Sequence, residues 1–523
     1  MFSSLTALTL VFVENAGLAL LAPVLILRLG LNVIDFNIDN PYGFWPHTNL
    51  QAFHGHQYPI LLPNHTSLFG VVGLFFALLV FGLFALRRWK TAAFLAGIFP
   101  WIHFFMSLAV FAGAGLAFCL KPDELKARKK EVLKFFSAGT ALSIAGILVH
   151  KLFISPPVDS SRAAESVPII AAYKKSWDYF QYTDAATAAR TLEIDFYIVA
   201  FIIFLWLFQK SNLSEGAKFL IRAIAAITAI GATFMLWTVL SIDSQPLFIQ
   251  KFMPARWLNL NSMLFPVLVF GVLGCYGIIK RNPLALIFLA LNSLFIVFSL
   301  TDSLTGNMHL ELQVSEPTGW TAVSGYLFPL FGGAAALGVI WLHPFMKKKG
   351  WVISENVRYF KLAVNVAFGA LIVFCLIAFV FPRYSSERAK GRDIWSPLTE
   401  HLSKGTGLLI VPEEMWLRPQ LRTRRGVLLD TCNLDILPYA ADAAPAVEKI
   451  MNRVYRSSLL KPYRGDYLIN TYETWGGRST EEWQALGREF GATSVIPPLN
   501  MKLALPLEFV SPMGVVVYRI PQP

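Results

Sequence analysis

The feature that most constrains this chain is the repetition of apolar stretches long enough to cross a lipid bilayer. They run at about 5–29, 67–86, 91–120, 135–154, 195–209, 219–242, 261–279, 284–300, 324–343 and 361–381. A span needs roughly 20 apolar residues for about 30 Å of hydrocarbon. The rest of the composition agrees: 55% hydrophobic, 15% charged and a mean hydropathy of +0.53 over 523 residues. These values lie outside the soluble globular range. The segment up to Gly30 lacks the charged start and the small-residue cleavage site of a signal peptide, so it reads as a retained first helix.

A net charge of +12 raises the question of nucleic acid. The basic residues lie beside the spans instead: Arg87, Arg88 and Lys90, then Lys121 to Lys134, Lys280 with Arg281, and Lys347 to Lys349. Such clusters mark cytoplasmic loops and attract anionic lipid, so no nucleic-acid partner is expected. The thirty-residue stretch 91–120 then decides the topology. Crossing once, it would place "KPDELKARKKEVLK" opposite "RRWK". Broken near Pro100 and Trp101 into two short helices, it returns to the same side, and every basic loop becomes cytoplasmic. The expectation is a polytopic α-helical membrane domain over 1–381 with about eleven membrane helices and its N-terminus inside. Segments 31–66, 155–194, 243–260, 301–323 and everything after Phe381 then lie outside.

From Pro382 the composition becomes that of a soluble domain, 382–523. "GLLIV" (407–411), "GVLLD" (426–430), "ATSVI" (492–496) and "GVVVYRI" (514–520) read as strands. "STEEWQALGREFG" reads as a helix capped by Ser479 or Thr480, with Glu481 and Glu482 in its first turn and Gly491 at its end. Strands alternating with helices imply a small α/β domain. Neither repeats nor a disulfide framework can be read. Cys119, Cys275 and Cys375 fall in apolar runs, and Cys432 in a polar region.

A first helix, a polar first external loop with acidic residues, many further spans and an external α/β tail together resemble the GT-C superfamily of membrane glycosyltransferases. The tail "LLIVPEEMWLRPQLRTRRGVLLD", then "EEWQALGREFGATSVIPP" and the closing "GVVVYRI", is similar to that of several bacterial members. The resemblance implies transfer of a sugar from a polyprenyl-phosphate donor to an acceptor at the outer face of the bacterial inner membrane. It also implies an acidic residue in the first loop as the catalytic group, and a basic residue on an external loop against the donor phosphate.

Sugar transfer to a hydroxyl needs a base and a stabilised leaving phosphate. Asp35 and Asp39 follow the first span closely and are the base candidates, although capping of a short interfacial helix would also use them. No adjacent acidic pair is present in this loop, a departure from the commonest GT-C form. His47, His54, His56 and His65 follow in the same loop. His54 and His56, with Trp45, suit sugar or acceptor contacts, and the histidines leave a divalent metal open without defining a site. Arg256 beside Trp257, with Lys251, suits the donor phosphate at headgroup depth; simple interfacial anchoring is the alternative. Trp177 and Asp178 offer a second sugar or acceptor contact. Glu14 and Asn15 stand inside the first span, where a carboxylate is costly, so Glu14 is expected protonated and hydrogen-bonded within the bundle. The C-terminal domain has no phosphate loop or nucleophile elbow and reads as a module for binding acceptor or a protein partner. Two other readings remain: a non-catalytic scaffold subunit, and a transporter or polymerase of lipid-linked glycans.

Overall fold

The computed structural model describes residues 2–31, 69–154, 160–174, 202–208, 213–241, 244–252, 257–305, 331–354, 359–374, 396–412, 424–429, 434, 437, 440–461, 474–498, 500–511 and 514–522. They form two compact units, each considered by itself. In the first, α1 is Phe2–Phe12, α2 Ala16–Leu31, α3 Phe69–Ala85, α4 Trp89–Cys119, α5 Pro122–Lys126 and α6 Lys129–Val149. After α7 (Ser160–Ala172), which belongs to the second unit, come α8 (Glu215–Ser241), α9 (Leu247–Phe252), α10 (Asn259–Gly274), α11 (Pro283–Thr305) and α12 (Gly333–Lys348). The helix Phe360–Phe374, α13, completes this unit.

Among the described residues, Trp89–Cys119, Lys129–Phe153 and Glu215–Thr238 are long and apolar enough to cross a membrane, and four shorter apolar helices accompany them. Phe81, Phe99, Phe219, Phe270 and Leu268 are fully enclosed in a common core. The opposite surfaces are equally apolar: α6 buries only Gly139 and Ser143, while Leu142, Ile144, Ile147 and Leu148 are exposed. Water would penalise such a surface and lipid does not, so this unit is a membrane-embedded body.

α4 is two helices, as the charge pattern demands. Its backbone leaves helical geometry at His103 (φ −157°, ψ 94°), and the rings of Trp89 and Phe118 meet at 5.6 Å. On a straight helix those residues would stand roughly 44 Å apart at 1.5 Å per residue. The turn comes just after the expected Pro100–Trp101 because His103 caps the returning helix: its Nδ1 accepts from Met106 N at 3.3 Å. Pro100 stays inside the outgoing helix. The outgoing half lies against α6 through two glycines. A Cβ on Gly97 would come within 2.3 Å of Phe136 O, and one on Gly139 within 2.2 Å of Phe94 O. Small residues permit this backbone contact where no hydrophobic effect drives association.

The hairpin brings both basic segments to one face. Glu124, on α5, receives Arg87 at 2.9 Å and Arg222 at 3.0 Å, with Lys121 at 3.4 Å. Lys90 pairs with Glu131 at 3.3 Å across the same two segments.

The first span departs from expectation. Val13–Asn15 leave the helix, Asn15 N donates to Val13 O at 2.9 Å in a three-residue turn, and α1 and α2 pack on each other. Two halves of one straight helix could not do so; the chain folds back. The end of α1, rather than its start, sits at the basic face: Ser214 Oγ donates to Val11 O at 2.8 Å, and Gly216 lies against Val11 and Ala85. Glu14 therefore occupies an exposed turn between α1 and α2, not the interior of a single span. Asn15 makes the turn: its Oδ1 accepts from Leu18 N at 2.8 Å, capping α2, and its Nδ2 donates to Asn365 Oδ1 at 2.8 Å.

The second unit contains α7 and the described residues from 396 onward. α14 (Ser396–Ser403), β1 (Leu408–Ile410), α15 (Ala444–Tyr455), α16 (Thr480–Phe490), β2 (Ala492–Val495), β3 (Leu507–Val510) and β4 (Val516–Arg519) build it. The sheet order is β1-β2-β4-β3. β1 and β2 are parallel and the other pairs antiparallel. Three expected strands are present; "GVLLD" makes only a single bridge, Val427 to Leu409. α16 carries the full capping box, with Glu482 N donating to Ser479 Oγ and Ser479 N to the Glu482 side chain. Gly491 ends it at φ 70°, a conformation open to glycine. Loop helix α7 packs on α15, so part of 155–194 joins this unit.

Candidate functional site

The candidate donor-phosphate segment is where the structure says most. α8 ends at Ser241, α9 follows, and α10 begins after Trp257 and Leu258. A chain of polar contacts fixes this connection. Trp237 Nε1 donates to Ser244 Oγ at 2.6 Å, and Ser244 Oγ to Ser241 O at 2.8 Å. Gln245 Nε2 donates to Thr238 Oγ1 at 2.8 Å, and Gln250 Nε2 to Gln245 O at 2.9 Å. Below them Asn261 Nδ2 donates to Thr228 Oγ1 at 2.6 Å, and Thr228 Oγ1 to Ile224 O at 2.8 Å.

Two polar atoms beside this frame have no partner among the described residues. The indole Nε1 of Trp257 and the amide Oδ1 of Asn261 are both buried and unbonded, one helical turn apart. An unmet buried donor or acceptor costs about 1–3 kcal/mol, so the pair is a place where a ligand group gains by binding. Lys251 lies in the last turn of α9, half-buried. Beside it Phe248 and Phe252 pack edge to face at 6.0 Å, and Phe252 meets Phe104 and Phe105 at 5.9 and 5.5 Å. The tip of the α4 hairpin thus supplies an aromatic wall to a connection that carries a cation and an unused N–H. Phe104 and Phe248 keep about half of their surface exposed.

Arg256, Asp35, Asp39, Trp45, His54, His56, Trp177 and Asp178 lie outside the described residues. Of the expected site residues Lys251 alone is described, and the structure adds Trp257, Asn261 and the phenylalanines of the hairpin tip. A Trp and an Asn four residues apart at a helix start carry a readable signal; the contribution of Phe104 and Phe105 does not, because it depends on the hairpin. Among the described residues no cluster of His, Cys, Asp and Glu could hold a metal.

In the second unit, Arg425, from the basic run "LRTRRG" (421–426), is not a surface cation. It is buried, donating to Gly407 O at 3.1 Å, Thr406 O at 3.0 Å, Thr493 Oγ1 at 2.7 Å and Ser494 Oγ at 2.9 Å. Ser494 Oγ donates to Glu508, and His401 Nε2 lies 3.1 Å from the other Glu508 oxygen. The carboxylate sits between serine and histidine, so the imidazole does not reach the serine and the order is not that of a Ser-His-Asp triad. Arg478 is buried too, stacked on Trp483 at 5.1 Å. It donates to the carbonyls of Arg453 and Val454 that end α15. Burial, then the nearby Arg456, push its guanidinium down to about 10. Both networks hold elements together.

No protein-family model, curated protein or solved structure matches this chain.

Proposed function

We propose that this protein is a membrane glycosyltransferase that moves a sugar from a polyprenyl-phosphate donor to an acceptor at the outer face of a bacterial inner membrane. The observation that carries this reading is the buried, unbonded indole N–H of Trp257, next in sequence to Arg256 and six residues after Lys251, in a connection whose helix α9 meets the hairpin tip through Phe252 and Phe104. An anionic phosphate with an apolar tail is the ligand chemistry such a combination suits: forked and point cations for the oxygens, aromatic surface for the isoprenoid. In this reading the body has about eleven membrane helices and Asp35 or Asp39 takes the acceptor's proton. Arg256 and Lys251 hold the phosphate as charge develops on it. Trp45, His54, His56, Trp177 and Asp178 contact sugar or acceptor. The C-terminal unit is extracytoplasmic and positions the acceptor or a protein partner.

The test is transfer of labelled sugar from polyprenyl-phosphate donors by purified protein in lipid. Asp35→Asn or Asp39→Asn lowers turnover about 10²–10⁴-fold with donor binding retained, the range of a general base. Trp257→Phe weakens donor binding about tenfold, the worth of one hydrogen bond to a charged group. Absence of turnover over a broad donor panel, with a folded protein that co-purifies with a fixed partner, rejects catalysis in favour of a scaffold subunit.

A second reading draws on the α1–α2 fold-back and the α4 hairpin. Discontinuous helices that enter and leave by one face recur where a substrate is carried across the membrane, which favours a transporter or polymerase of lipid-linked glycans. Flux of a labelled lipid-linked sugar across proteoliposomes without new glycosidic bonds would select it.

A further inference from the structure

The basic face of the membrane unit is more than a topology signal. The described residues of 86–90, 120–134 and 213–222 hold eleven lysines and arginines against four carboxylates. Each carboxylate is already engaged: Asp123 by Lys126, Glu124 by Arg87, Lys121 and Arg222, Glu131 by Lys90 and Arg128, and Glu215 by Lys121 and Lys218. Arg88 remains an exposed cation with no ion-pair partner among the described residues. At the centre lies Arg222, 2% exposed. Its Nε donates to Ala117 O at 3.1 Å and its Nη2 to Glu124 at 3.0 Å, while Nη1 is buried without an acceptor among the described residues. A buried guanidinium gains stability when its remaining hydrogens are bonded. The ends of three apolar elements, α3, the α4 hairpin and α8, meet here, so the surrounding medium is the headgroup layer of a bilayer. Arg87 lies 5.4 Å over the ring of Trp89, an aromatic of the kind that anchors at that depth.

We infer that this face is a binding site for the phosphate headgroup of an anionic phospholipid, with Arg87, Arg88, Lys121 and Lys218 as its rim and Arg222 as its floor. Charge complementarity selects the ligand: local carboxylates are saturated, local cations are in excess, and lipid phosphates are the acceptors present at the helix ends. The site stands at the start of α8, whereas the neighbours of Trp257 meet that helix further along, Asn261 at Thr228 and Leu258 at Gly231, and it is independent of the glycosyltransferase reading.

The experiment uses the full-length protein in nanodiscs of phosphatidylcholine alone or mixed 3:1 with phosphatidylglycerol, an arbitrary probe ratio of about one anionic lipid in four. Native mass spectrometry reads retained phosphatidylglycerol and thermal unfolding reads stabilisation. Wild type retains the anionic lipid and unfolds at a higher temperature in its presence. Arg88→Gln and Lys121→Gln each lower retention about fivefold, the ~1 kcal/mol one basic residue contributes beside an anionic surface. Lys347→Gln with Lys348→Gln, in another basic segment, leaves retention unchanged. Arg222→Gln abolishes retention; where that variant does not fold, the two rim variants decide. Equal retention in rim and control variants overturns the proposal, as does inorganic phosphate stabilising the protein in phosphatidylcholine as strongly as phosphatidylglycerol does.

Discussion

Lys90 and Glu131 flank the whole of α4, one at its start and one after α5, and their side chains approach to 3.3 Å. That proximity exists only because the helix folds back at His103. A continuous helix over the 31 residues of Trp89–Cys119 would separate its ends by roughly 46 Å at 1.5 Å per residue, placing the two side chains on opposite sides of a bilayer about 30 Å thick. Lys90→Cys with Glu131→Cys, in a protein whose Cys119, Cys275, Cys375 and Cys432 are replaced by serine, should therefore be bridged by a short bismaleimide in intact vesicles. Lys90 is largely exposed, and such surface pairs contribute about 0–1 kcal/mol, so the substitutions should leave folding intact. Peptide mass spectrometry after digestion detects the bridge. An impermeant maleimide added to one side should block both introduced thiols together. Labelling of the two introduced thiols from opposite sides, with no bridge formed, would refute the hairpin and with it the assignment of one basic face.

Three further outcomes test the packing. Glu124→Gln leaves buried Arg222 without its carboxylate, and removal of one partner from such a pair costs about 3–5 kcal/mol; a thermal-unfolding cycle with Arg222→Met should show the double variant less damaged than the sum of the singles. Gly97→Val forces a side chain onto Phe136 O, where even a Cβ would stand at 2.3 Å, and overpacking of this kind costs about 1–3 kcal/mol, read as a lower unfolding temperature in detergent. In the second unit, bonds from Lys449 at 2.8 Å and Arg453 at 3.1 Å hold Glu489 below its ordinary 4.5. A lowered folded value means stability that is full above 4.5 and lost as pH falls through the folded value; Glu489→Gln should flatten that acid limb, and an unchanged limb would assign it elsewhere.

Much of the local architecture was legible. The capping box Ser479–Glu482 and the terminating Gly491 needed only local chemistry, and both ends of α16 lie where those residues put them. The hairpin in α4 was legible from charge, because a basic loop on each side of one span violates the inside bias; its turning residue depended on His103 reaching Met106 N. The edge strand β3 was not legible: Leu507–Val510 is half exposed and shows no buried alternation, so only pairing with β4 makes it a strand. Glu14 misled for the same reason. An apolar run from 5 to 29 reads as one helix, and nothing in its hydropathy reveals that Asn15 caps a new helix and bonds Asn365, 350 residues away. At the candidate site, Arg256 and Lys251 stood out as external cations, whereas the aromatic wall from Phe104 and Phe105 required the hairpin tip to reach α9.

By itself, the sequence determined what each segment can tolerate: which stretches must avoid water, which face collects the cations, and which stretches of the C-terminal region form strands and a capped helix. These follow from transfer free energies and local hydrogen bonding, which act residue by residue. Tertiary structure alone decided where the apolar runs turn back, which carboxylate neutralises the buried Arg222, and which donors are left unused beside α9. Those outcomes depend on partners distant in sequence, whose meeting is fixed by packing between helices and not by the composition of any one of them.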